Sequence, residues 1–161
     1  MTMRVSAALT AIGLALALPL PALAQTTPGD QTATVSRADP EMARAIARAR
    51  AELPVFFGHA SSPAPGERYF LVKYNINPTG RAEFIWAEII SHKGDTMVAR
   101  LINTPRAPGF TKGQQVTIRK SDVIDWSYIR DGVLQGNYTT RVVLPHMKPA
   151  EAAALRKSYG W

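Results

Sequence analysis

The feature that most constrains this chain is a succession of short, strand-like runs joined by tight turns, with no helical segment between them. Glu67 to Ile76 alternates, placing Phe70, Val72, Tyr74 and Ile76 on one side, and Asn77-Pro78-Thr79-Gly80 then turns the chain. Ala82 to Ser91 (AEFIWAEIIS) is mostly apolar, as expected of a central strand covered on both faces. A turn at His92-Lys93-Gly94-Asp95 leads into a returning run, Thr96 to Ile102. A Pro/Gly loop from Thr104 to Gly113 follows, and then short β stretches at Gln115–Arg119 and Ile124–Arg130. These two are separated by Ser121-Asp122, and Asp131-Gly132 marks one more hairpin. Adjacent strands joined by hairpins build antiparallel sheets rather than βαβ units.

Helices bracket this region. Asp39 caps a helix whose first position suits Pro40, and Met42, Ile46, Ala49 and Leu53 form one apolar stripe that Pro54 ends or kinks. Lys148 to Tyr159 is Ala-rich, with Pro149 near its start and Gly160 after it. All 13 aromatic residues lie at or beyond Phe56, so the main core belongs to Phe56 through Trp161. The fold class expected is α+β: a strongly bent antiparallel sheet of about five or six short strands, with barrel-like closure an open alternative, and the two helices packed beside it.

The first 24 residues read as a leader. Arg4 precedes the apolar run Val5 to Ala24, which contains Pro19 and Pro21 and ends Ala22-Leu23-Ala24, the layout of a secretory signal cut after Ala24. A retained membrane anchor is the alternative, and the breakers and the small-residue end argue for cleavage. The reading is therefore a signal peptide over 1–24, a flexible lead-in over 25–38 and a single domain over 39–161, delivered to the periplasm or secreted. The formal net charge of +7 falls by one with Arg4. The absence of cysteine excludes thiol nucleophiles, thiolate metal sites and disulfide staples, so stability must come from packing.

Catalytic signatures are sparse. His59, His92 and His146 are far apart and lack metal-ligand spacing, and no phosphate loop, G-x-S-x-G or dinucleotide fingerprint occurs. Glu83 and Glu88, five apart on one strand, point to opposite faces. Asp125 beside Trp126 has two readings: a general acid with a raised pKa, or an acceptor of backbone N–H groups, with Asp122 capping the turn. The Asn137 sequon reads as coincidental. No catalytic, cofactor-binding or metal-ligating residue is assigned. Between Asp95 and Asp122 the chain carries Arg100, Arg106, Lys112, Arg119 and Lys120 and no acid. Such a stretch suits anionic envelope polymers or an acidic protein. Nucleic acid, the usual partner of so basic a chain, is disfavoured by export.

Several of these segments resemble one bacterial family, domain of unknown function 2314. The likeness runs through Phe70-Leu71-Val72-Lys73, Glu83-Phe84-Ile85-Trp86, Asn103-Thr104-Pro105, Gly113-Gln114-Gln115-Val116 and Ile124-Asp125-Trp126-Ser127-Tyr128. It continues in Asp131-Gly132, Gly136 and Tyr138-Thr139-Thr140-Arg141, and includes the helix from Asp39 to Arg50. Phe84 departs from it, standing where the resemblance leads to histidine, so any chemistry using that histidine has no bearer here. The resemblance implies a fold and small stand-alone or exported modules, and carries no catalytic residues.

The leading expectation is a non-enzymatic periplasmic module that binds a protein or an anionic envelope polymer through Arg106, Lys112, Arg119 and Lys120. Trp86, Trp126 and Tyr128 are first candidates for core and turn structure, and line a ligand groove only if exposed. Two alternatives stand beside it. One is an immunity-like protein that neutralises a toxin; the other is a small wall-directed hydrolase using Asp122, Asp125 or Glu88. No membrane span is expected after signal cleavage, and the oligomeric state is left open.

Overall fold

The computed structural model describes residues 39–161; the leader and lead-in expectations lie outside them. Asp39 accepts N–H bonds from Glu41 and Met42, and α1 (Pro40–Ala51) begins with proline where no donor is needed. Pro54 does not simply end the helical region. It occupies the first turn of a second helix, α2 (Leu53–Ser61), which buries Phe56 and Phe57. Six strands follow: β1 (Glu67–Asn75), β2 (Phe84–Lys93), β3 (Thr96–Leu101), β4 (Gln115–Arg119), β5 (Val123–Arg130) and β6 (Val133–Gly136). Then come α3 (Tyr138–Val143), a 3₁₀ turn at Leu144–His146 and α4 (Pro149–Tyr159), closed by Gly160 in the left-handed region.

The strands form one antiparallel sheet in the order β4-β3-β2-β1-β5-β6. The sheet is open, so the barrel-like alternative is not realised: β4 and β6 end it without pairing to each other. Register shifts interrupt β1 against β5 and β2 against β3, and Tyr69 at the first irregularity adopts φ 57°. The strand covered on both faces is β5, whose residues from Val123 to Tyr128 are all buried. β2 is buried only over Ile85, Trp86 and Ala87 and emerges to an exposed Ile90, while α2 touches its far end at His92, through Phe57 and Ser61.

Alternation divides the sheet. Val72 pairs in register with Ala87 on one side and Trp126 on the other, and their side chains join Phe56, Phe57, Ile85, Leu101 and Tyr128 in the main core. Each buried Val, Leu, Ile or Phe side chain among them contributes about 1.5–3 kcal/mol. Phe56 stacks on Trp126 at 5.1 Å, and the Trp126 indole N–H donates to Ala49 O at 2.8 Å, tying the end of α1 to β5. Gly136 lies against the same ring. A Cβ there would sit 2.4 Å from Trp126 O, so only glycine fits. Smaller clusters seat the other helices, with Leu134, Leu144, Leu155 and Tyr159 under α4 and Met42, Ile46 and Ile124 beside α1.

Candidate functional site

The three carboxylates considered for chemistry do not converge on one cavity. Asp125 is fully buried and accepts from Trp126 N (2.9 Å), Tyr138 N (3.2 Å), Thr139 N (2.7 Å) and Thr139 Oγ1 (2.6 Å). This is the backbone-acceptor reading, extended across sequence to hold the first turn of α3. Lys73, opposite Asp125 in register, donates to Thr139 Oγ1 at 3.2 Å and places its ammonium 5.6 Å from the Trp86 ring. Burial pushes Asp125 up and Lys73 down, toward neutrality, and their mutual attraction opposes both shifts. Asp122 does not act as a turn cap. It binds Arg119 through both oxygens at 2.9 and 3.2 Å. Glu88 sits on β2 opposite Leu71 and Arg100. Glu83 pins the β3–β4 loop, accepting from Arg106 N and Ala107 N at 2.7 Å each.

Two of the three histidines, His59 and His92, serve junctions that their sequence spacing gave no reason to expect. His59 Nδ1 meets Glu67, whose carboxylate also takes Arg130 at 2.8 Å; Arg130 reaches the Tyr128 hydroxyl at 2.7 Å. A hydrogen bond from Ala64 N, with Arg130 and His59 adding to it, holds Glu67 below the usual carboxylate range. Ser61 Oγ lies 3.0 Å from His92 Nε2, an arrangement that resembles a nucleophile and base. The hydroxyl proton is directed to Phe57 O at 2.8 Å, so His92 meets the oxygen as a donor. Burial and nearby Lys120 lower the His92 pKa. Among the described residues, no three metal-ligating side chains gather. Asn137 of the sequon is buried in the left-handed region, so its side chain is not presented for glycosylation.

The predicted basic residues are divided by the geometry. Arg106 and Lys112 are exposed in the β3–β4 loop, before Gln115, whereas Arg119 and Lys120 lie at the other end of β4, a strand about 13 Å long at ~3.3 Å per residue. Arg119 is held by Asp122, and Lys120 sits 4.4 Å over Phe57. Trp86 and Trp126 are each 5% exposed and Tyr128 4%, so all three are core and offer no open groove.

A cleft of ≈ 210 Å³ opens where α1, the start of β2 and the β4–β5 junction meet. Arg50, Asn75, Arg119 and Ser121 line it with polar groups, joined by Asp122, over an apolar floor of Pro78, Phe84 and Ile124. Arg50 Nε donates to Val123 O at 3.1 Å, which orients the guanidinium and leaves its two terminal nitrogens for other partners. The Asn75 carbonyl oxygen accepts from Asn77 N and Glu83 N, fixing the amide so that its NH₂ remains a donor. The cleft therefore presents oriented donors, and its single carboxylate is already neutralised by Arg119. Sequence reasoning found Arg119 but missed Arg50, Asn75 and Ser121, because three separate elements bring them together. Phe84, at the position where the resemblance leads to histidine, lines this cleft and makes that wall apolar.

A model of an uncharacterised protein family conserved in bacteria, domain of unknown function 2314, matches residues 39–161. An Escherichia coli K12 protein, the uncharacterised protein YegJ, is 31% identical over 88 residues, 54% of this chain and 58% of its own length. The chain thus spans less than two thirds of that relative. No solved structure matches it. The helix, strand and loop motifs that carry the resemblance fall within the matched segment, and the chain belongs to the domain of unknown function 2314 family.

Proposed function

We propose that this protein is an exported, non-catalytic binding module whose cleft holds an anionic group of a protein or an envelope polymer. The observation that carries the reading is the donor set of the cleft: Arg50 tethered through Nε alone, Asn75 with its oxygen occupied and its NH₂ available, and the Ser121 hydroxyl. Guanidinium and amide donors fixed by the fold recognise carboxylate or phosphate with little ordering cost. The floor of Phe84, Pro78 and Ile124 suits an anion carried on an apolar or ring-shaped body. Support also comes from the acids, most of which, among the described residues, serve caps, ion pairs or loop anchors.

Capture of envelope polymer from bacterial envelope extract tests the reading with two charge variants. Arg50→Ala/Arg119→Ala should reduce retention strongly, and Arg106→Glu/Lys112→Glu less so. Equal retention of wild type and the cleft variant would refute the cleft as the binding site.

A further inference from the structure

The two edges of the sheet differ. At β6 the chain's own end supplies cover: Trp161 donates its indole N–H to Leu134 O at 2.8 Å, and Gly160 packs on Val133. β4 has a strand on one side only, β3, among the described residues. Leu101 N bonds Gln114 O and Lys120 N bonds Asp95 O, at the same register that pairs Met97 with Ile118 and Ala99 with Val116. Antiparallel bonding alternates, so Val116 and Ile118 turn their main-chain groups toward β3. Gln115, Thr117 and Arg119 therefore direct three N–H and three C=O groups outward, and all three residues are exposed.

Charge selects the occupant. The hairpin from Thr96 to Ser121 carries Arg100, Arg106, Lys112, Arg119 and Lys120 and no acid. At the Arg119 end Asp122 provides compensation, and Arg100 stands in register between Glu88 and Gln115, whereas Lys112 beside the edge has no ion pair among the described residues. A second copy of β4 would bring the same positive charges together, as on edges that resist self-pairing. We propose that the outer edge of β4 receives an extended acidic segment of a protein partner as a seventh strand. Main-chain bonds supply the docking, and the acid-free hairpin, with Lys112 nearest the edge, selects acidic side chains. The inference rests on the binding-module reading, and the β4 edge meets the cleft only at Arg119.

Fluorescence anisotropy with a labelled heptapeptide of alternating Glu and Val tests it against the matching Lys–Val peptide. The acidic peptide should bind at least about tenfold tighter than the basic one. Thr117→Pro removes an outward donor without touching the β3 ladder, and should weaken binding about tenfold while circular dichroism is unchanged. Lys112→Glu should also weaken it, and decides the matter if the proline variant does not fold. Arg50→Ala should leave the Thr117-dependent part of peptide binding unaltered. Equal binding of both peptides, or a folded Thr117→Pro protein (or, failing that, Lys112→Glu) that binds like wild type, would overturn the inference. A concentration-dependent dimer abolished by Thr117→Pro would assign the edge to a second copy instead. Peptide binding lost in Arg50→Ala would overturn the edge proposal and leave the cleft reading standing.

Discussion

At the residue scale, Asp125 does the most for the structure while being the least available for chemistry. Its two oxygens satisfy three main-chain N–H groups and one hydroxyl, and its charge faces Lys73 across the β1–β5 ladder. Asp125→Ala would leave the half-buried Lys73 ammonium without its counter-charge and the first turn of α3 without its acceptor. The expected loss is about 3–5 kcal/mol, read from urea unfolding. Lys73→Met in the same background should recover part of it, because the stranded charge is then gone. A loss below about 1 kcal/mol would show that the pair is not coupled to folding.

At the element scale, what the sequence reveals depends on how local the cause is. α1 and α4 are legible because cap, proline and glycine stand beside the helices they bound. The strands are legible because alternation and turn residues are local as well. α3 is not: Tyr138–Val143 is rich in β-branched residues, and its N-terminal acceptor, Asp125, lies 13 positions earlier on β5. α2 was hidden because Pro54 reads equally as a stop or as a first-turn residue. The cleft was illegible for a similar reason, since Arg50, Asn75 and Ser121 meet only through tertiary packing. The β3–β4 loop shows the same long reach, being held by Glu83 and by Asn103, whose side-chain oxygen accepts from Trp86 N at 3.0 Å. Glu83→Ala should accelerate proteolysis between Ile102 and Gln114 while moving the unfolding midpoint little. Unchanged cleavage would mean that the loop is held by other contacts.

At the scale of the whole molecule, burial governs the response to pH. Burial, joined at Tyr138 by Glu52, pushes the phenols of Tyr74, Tyr138 and Tyr159 up to about 12. A group whose folded pKa is raised contributes stability in full below its unfolded value, here about 10, and loses it as pH rises through the folded value. The protein should therefore unfold between about pH 10 and pH 12, with phenolate absorbance and circular dichroism changing together. Full ionisation of all the tyrosines near pH 10 without unfolding would contradict this placement of the rings.

On the function proposed above, oriented donors in one cleft, rather than diffuse positive charge, bind an anionic partner. The most direct measurement is a two-dimensional amide NMR titration with trigalacturonate, a soluble uronate, against its neutral trisaccharide counterpart. Shifts should concentrate at Asn75, Ser121, Asp122, Ile124 and the Arg50 side chain with the uronate alone, and disappear in Arg50→Ala. Shifts spread evenly over the basic side chains, or none at the cleft, would contradict it.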